Sequence, residues 1–145
     1  MRVTVLNGPN LNLLGTREPE IYGTTTLAGI EDLVRAEASR LGVAIDFQQT
    51  NHEGGLVDAI QRLPATADGL LLNAAAYSHS SLAIRDALLA VRIPFVEVHL
   101  TDLAQREAAR QRLLFADLAV AVITGRGPAG YVEALQALTG YLRAR

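Results

Sequence analysis

Five short apolar runs, at residues 3–6, 43–47, 69–72, 94–98 and 119–123, alternate with amphipathic stretches along the whole chain. Each run is continuous rather than alternating, the pattern of a strand covered on both faces. Between them the apolar residues recur at helical spacing. Leu27, Ile30, Leu33, Val34 and Leu41 share one face, with Thr26 as N-cap and Gly42 as stop. Val57, Ile60 and Leu63 repeat the pattern up to Pro64, and Ser81 precedes Leu82, Ile84, Leu88 and Val91. Thr101 or Asp102 is positioned to cap a polar helix over 103–112, and Val132, Leu135, Leu138, Tyr141 and Leu142 mark the last helix. Strict β–α alternation implies a parallel sheet with right-handed crossovers. The expectation is one α/β domain over residues 1–145, a flavodoxin-like doubly wound sheet of five strands in the order 2-1-3-4-5, in three α/β/α layers.

Composition removes several chemistries. There is no Cys, so disulfides, thiolate nucleophiles and Cys-type zinc sites are excluded. All 13 basic residues are Arg, a bias that genomic base composition readily produces. Without Lys there is neither a lysine Schiff base nor a P-loop lysine. A net charge of −2 gives no basic footprint for nucleic acid. No apolar run approaches the roughly 18 residues of a membrane span, and no secretory h-region opens the chain. The expectation is a soluble cytoplasmic protein without a nucleic-acid or membrane partner.

Ligands of open α/β sheets bind beyond the carboxyl ends of the strands. There the first run leads into Asn7-Gly8-Pro9-Asn10-Leu11-Asn12, followed by an unusually long connection, residues 7–25, that adds Arg17 and Tyr22. A loop of that length in a compact domain is commonly a functional lid. The second run is followed by Thr50-Asn51-His52-Glu53, the third by Asn73 and Tyr77-Ser78-His79-Ser80, and the fourth ends in Glu97 and His99. All three histidines thus follow strands on one rim, which marks that rim as a site.

Each residue also has a plainer role to weigh. Asn7, Asn12 and Asn51 are natural turn-formers, Tyr22 suits a loop anchor, and His52 could cap the next helix. Glu97 and His99, at i and i+2, point to one face of a strand, where a carboxylate can orient an imidazole or simply form a structural pair. Arg106 and Arg110 fall on a polar segment, where a surface role is the default. Gly125-Arg126-Gly127-Pro128-Ala129-Gly130 matches G-x-G-x-x-G, yet no later strand completes a dinucleotide unit and no acid follows about 20 residues on. A tight turn into the last helix is the better reading. Asparagines replace the clustered acids of a receiver domain, and Gly-Pro-Asn-Leu is unlike a flavodoxin phosphate loop.

The motifs taken in order resemble those of the type II 3-dehydroquinate dehydratases: residues 7–15, then Arg17-Glu18-Pro19 and Tyr22-Gly23, then 49–54, then Tyr77-Ser78-His79-Ser80-Ser81 with Arg85-Asp86-Ala87. Val96-Glu97-Val98-His99, Arg106-Glu107 with Arg110, and Gly125-x-Gly127-x-x-Gly130-Tyr131 continue it over the full length. Departures are Asn73-Ala74-Ala75-Ala76 where the family usually has Asn-Pro-Gly-Ala, Thr101-Asp102 for Ser-Asn, and Ala109 and Leu113 for Phe and Ser. Ala75 for Gly sets a methyl group beside the expected pocket.

The resemblance implies a cofactor-free lyase acting on 3-dehydroquinate through an enolate, assembled as a homododecamer of four trimers, in aromatic amino-acid synthesis or quinate breakdown. It implies Tyr22 as base, assisted by Arg17, Asn10 as enolate stabiliser, and His99 oriented by Glu97 as acid. Asn73 with the backbone at Leu100 and Thr101 would hold the substrate carboxylate at a helix N-terminus, His79 and Arg110 would meet ring hydroxyls, and Asp86 would reach in from a neighbouring subunit. A phenol titrates near about 10, so use at neutrality requires about 4 kcal/mol. One guanidinium at about 4 Å contributes on the order of 4 kcal/mol at an effective dielectric near 20, and phenolate desolvation takes part of it back. Arg110 is therefore a candidate for a second positive charge. The rival from another class is a non-catalytic nucleotide- or flavin-binding module on the same fold. A second is a family member that has drifted to another hydroxy acid or acts only structurally.

Overall fold

A computed structural model describes residues 1–16 and 18–145, with the main chain alone at position 22. Among the described residues five strands, β1 (Arg2–Asn7), β2 (Ala44–Gln49), β3 (Gly69–Asn73), β4 (Phe95–His99) and β5 (Ala121–Thr124), form one parallel sheet. Their order is β2-β1-β3-β4-β5, as the alternating pattern predicts. β1, β3 and β4 are buried almost throughout, which explains their unbroken apolar runs. β2 and β5 are the half-exposed edges. A one-turn helix, α1 (Pro19–Tyr22), lies in the long first connection. The longer helices are α2 (Leu27–Leu41), α3 (Glu53–Thr66), α4 (Leu82–Val91) and α5 (Ala129–Arg143). Among the described residues no helix is long and apolar enough to cross a membrane.

Strand parity sorts the core into two layers. Val3, Val5, Leu71, Val96 and Val98 pack with Ile30 and Val34 of α2 and Tyr131, Leu135 and Leu138 of α5. Leu6, Leu70, Leu72 and Phe95 face the other way, onto Leu56, Ile60, Ile84 and Leu88 of α3 and α4. Burying each such side chain contributes about 1.5–3 kcal/mol. The predicted caps form: Thr26 Oγ1 accepts from Gly29 N at 3.1 Å and Ser81 Oγ from Ile84 N at 3.0 Å. Gly42 closes α2 with φ 71°.

Three expectations need correction. α3 does not end at Pro64 but runs two residues past it. Pro64 sits in the last turn, where its missing N–H costs one bond and Ala67 N still closes on the Leu63 carbonyl at 2.9 Å. No helix spans 103–112. Leu103–Gln105 and Ala108–Arg110 are separate 3-10 turns, divided by Arg106 in an extended conformation. Asp102 caps only the first, and Leu103 is the one buried residue of the two turns, so no apolar stripe sustains an α-helix. β5 starts two residues later than its apolar run, after a 3-10 turn at Ala116–Leu118.

Candidate active site

Parity also decides which polar groups meet at the carboxyl edge. Asn7 and Asn73 end β1 and β3, are paired in register, and follow Val5 and Leu71 onto the α5 face. Glu97 and His99 follow Phe95 onto the opposite face of β4. His99 Nε2 lies 2.8 Å from Glu97 Oε1, with Glu97 fully buried and His99 5% exposed. A carboxylate acceptor fixes the proton on Nε2 and leaves Nδ1 as the nitrogen free to exchange one. The alternation of β4 thus builds the predicted pair.

His99 opens onto a pocket walled by Asn10, Asn73, His79 and Arg110, with Leu100, Thr101 and Ala75 beside them. The rings of His79 and His99 are 6.0 Å apart. His79 Nδ1 lies 2.9 Å from the Arg112 carbonyl, so Nδ1 carries the proton and neutral Nε2 is an acceptor. Burial lowers the His79 pKa, as do the nearby His99 and Arg110, while the bond to Arg112 acts the other way. A histidine held neutral in this way favours the fold above the free-imidazole range near about 6.5. That contribution is lost as pH falls through the lowered value.

Arg106 corrects the surface default. Its side chain is 15% exposed, lines the pocket beside Arg110, and donates to Thr101 Oγ1 at 3.3 Å. The extended backbone at position 106 is what turns it inward. Arg110 also lines the pocket, paired with Glu107 at 2.5 Å, and Glu107's own backbone N–H together with that guanidinium lowers the Glu107 pKa. The predicted helix N-terminus beside Thr101 is only the three-residue 3-10 turn, so a macrodipole adds little there. Gly125-to-Gly130 supports this wall as the predicted turn. Gly125 N and Gly127 N, with φ of 73° and 58°, donate to the Thr101 and Leu100 carbonyls at 3.0 Å each.

The asparagines separate by role. Asn51 Oδ1 accepts from Asn10 N at 3.0 Å and from Gln49 Nε2 at 3.0 Å, and Gln49 also reaches Asn12 Oδ1 at 3.3 Å. Asn51 and Asn12 thus hold the loop, which leaves the Asn10 side chain at the pocket wall. Asn10 itself has φ 68°, a left-handed conformation that Asn tolerates. His52 is exposed, its side chain makes no cap bond to α3, and it does not line the pocket. Only two of the three rim histidines converge. Asp86 is exposed on α4, away from the pocket of its own chain. Arg17 and the Tyr22 side chain lie outside the described residues.

Ala75 adopts φ 52° where the family usually carries Gly. A Cβ in the left-handed region costs roughly 1–2 kcal/mol, partly offset by the entropy Gly restores to the unfolded chain. Ala75→Gly is expected to stabilise the protein by about 0.5–1 kcal/mol, read as a higher denaturant midpoint with unchanged slope. An unchanged or lower midpoint would show that the methyl group's packing outweighs the strain. Close by, Gly8 has no room for a side chain: a Cβ would lie 2.5 Å from the Ala74 carbonyl oxygen.

A larger groove, about 470 Å³, opens beside Pro94 and Phe95 at the start of β4, but among the described residues no His, Asp or Glu side chain lines it. The rim pocket combines a buried carboxylate–imidazole pair, two arginines and two carboxamides at the carboxyl edge of a doubly wound sheet. That layout is of the class that α/β enzymes use to bind small anions.

The comparisons with known proteins specify the class. Residues 1–139 match the family model described as Dehydroquinase class II. The chain is 56% identical over 138 residues to a 3-dehydroquinate dehydratase of Bordetella pertussis, covering 93% of this chain and 94% of that protein. It is 46% identical to a catabolic 3-dehydroquinase of Aspergillus oryzae, covering 99% and 94%. The crystal structure of a type II dehydroquinase from Butyrivibrio crossotus superposes with a TM-score of 0.93 at 36% identity, covering 95% and 97%. The chain belongs to the class II dehydroquinase family.

Proposed function

We propose that the chain is a hydro-lyase converting 3-dehydroquinate to 3-dehydroshikimate and water at the rim pocket, without a cofactor. The observation that carries the reading is the buried Glu97–His99 pair opening onto a pocket with Arg106, Arg110, Asn10 and Asn73. Tyr22, as phenolate, removes a proton next to the ketone, and the electron pair moves into an enolate. Arg17 keeps the phenolate charged, with Arg110 as a second cation. Asn10 donates to the enolate oxygen, directly or through a water. The enolate then re-forms its carbonyl and expels the β-hydroxyl. His99, protonated on both ring nitrogens and balanced by Glu97, gives that hydroxyl a proton from Nδ1, so water leaves. A proton passing from the Tyr22 phenol through solvent to His99 restores both groups.

In the same reading Asn73 with the backbone at Leu100 and Thr101 holds the carboxylate. His79, presenting a bare Nε2, accepts from a ring hydroxyl, and Arg110 donates to one. The loop bearing Arg17 and Tyr22 closes as a lid. Asp86 completes the pocket of a neighbour in a cytoplasmic dodecamer of four trimers, which its exposure on α4 allows. The test is addition of 3-dehydroquinate to the purified protein. Growth of the ultraviolet band of a conjugated enone is expected, and its absence at high enzyme concentration would refute the reading. A sedimentation mass of one chain would refute the assembly.

A further inference from the structure

Asn73 sits at the centre of a buried polar chain whose other members the mechanism does not use. Asn7 Nδ2 donates to the Gln48 carbonyl of β2 at 3.0 Å. The Tyr131 hydroxyl donates to Asn7 Oδ1 at 2.7 Å, and Asn73 Nδ2 donates to that hydroxyl at 2.8 Å. Asn73 Oδ1 accepts from Ala75 N at 3.1 Å. Tyr131 and Asn7 are wholly buried and Asn73 is 3% exposed.

The polarity of this chain is set from both ends. A backbone carbonyl at Gln48 demands the NH₂ of Asn7, which turns Asn7 Oδ1 toward Tyr131. The single hydroxyl proton of Tyr131 is committed there, so toward Asn73 the hydroxyl can only accept. Asn73 must therefore present NH₂ to Tyr131 and oxygen to the Ala75 N–H. A flipped carboxamide would set donor against donor at Ala75 and waste an acceptor at Tyr131. Each unsatisfied buried group costs about 1–3 kcal/mol. Burial raises the Tyr131 pKa, so the hydroxyl keeps its proton. One Nδ2–H of Asn73 stays uncommitted among the described residues, and Asn73 lines the pocket.

We propose that Tyr131, through its buried hydroxyl, is a positioning residue for anion binding: it locks the Asn73 carboxamide so that a donor, never an acceptor, faces the substrate carboxylate. The inference rests on the proposed contact between Asn73 and that carboxylate. It reaches from the last helix to a strand end 58 residues earlier. Strand parity makes the contact possible, because Asn7 and Asn73 both face α5.

The test compares 3-dehydroquinate with its methyl ester, which lacks the anion. Tyr131→Phe is expected to raise KM for the acid on the order of tenfold, the loss of one charge-assisted bond, while kcat changes less than about twofold. The preference for acid over ester should fall in parallel. Asn73→Ala should produce the same loss, and the double variant no more than Asn73→Ala alone. KM and the acid-to-ester ratio do not depend on the folded fraction, so a destabilised preparation still reports. Asn7→Ala, which removes the hydroxyl's acceptor and leaves Tyr131 in place, should move the ratio in the same direction. A lowered Tm with an unchanged ratio in both Tyr131→Phe and Asn7→Ala, against a lost ratio in Asn73→Ala, would overturn the inference and spare the carboxylate contact. An unchanged ratio in Asn73→Ala would overturn both.

Discussion

Tyr22→Phe is expected to lower kcat by about 10²–10⁴-fold, the usual contribution of a positioned base, with KM nearly unchanged and the fold intact. The hydroxyl is the only group removed, so a loop anchor would lose little while a base loses its function. Arg17→Ala should fall by a similar factor, because a phenol with a reference value near about 10 has almost no phenolate at neutrality without a neighbouring cation. The two losses should not add: once the phenolate is gone, the guanidinium has nothing left to stabilise. In Arg17→Ala the activity should recover as pH rises toward the free phenol value, whereas Tyr22→Phe should stay flat. Additive losses, or wild-type turnover in Tyr22→Phe, would leave Tyr22 as a loop anchor.

His99→Ala is expected to lower dehydration by about 10²–10⁴-fold yet leave exchange of the substrate's α-proton with deuterated water measurable by NMR. Proton abstraction precedes expulsion in the proposed sequence, so losing the acid blocks only the later step. The Glu97 carboxylate would also lose its partner. Its Oε1 is held by His99, and Oε2 has no hydrogen-bond partner among the described residues. Removing one member of a buried pair leaves the other charge uncompensated, so a lower Tm is expected as well. Exchange and elimination falling together, in protein that remains folded, would mean that His99 serves binding rather than acid catalysis.

Local rules made the sheet legible. A strand covered on both faces is largely apolar, so β1, β3 and β4 declared themselves, and Thr26 and Ser81 marked helix starts because their hydroxyls accept from free N–H groups of the first turn. Period two along β4 was enough to pair Glu97 with His99. Helical period was less selective about faces: Leu33 and Tyr141 share the spacing of core residues yet are 44% exposed each. What escaped depends on backbone or tertiary choices that residue types do not encode. Arg106 enters the site because the chain extends there instead of completing a helix, and polar residues at helical spacing give no sign of that break. The left-handed turn at Ala75 is carried by a residue that normally avoids it. Tyr131 meets Asn7 across 124 residues, a distance at which spacing carries no information. His52 follows a strand like the other histidines, but the first turn of α3 leaves it exposed.

The central claim is that the protein's own groups carry this elimination, through an enolate and not through an imine or a metal. It is tested most directly by timing enone formation from 3-dehydroquinate after exhaustive chelation, and again after borohydride treatment in the presence of substrate. All 13 basic residues are arginine, so no lysine amine exists for borohydride to trap as a reduced imine. The account predicts the untreated rate in both cases. A rate abolished by chelation and restored by a divalent metal, or an irreversible loss with borohydride and a matching gain in mass, would contradict it.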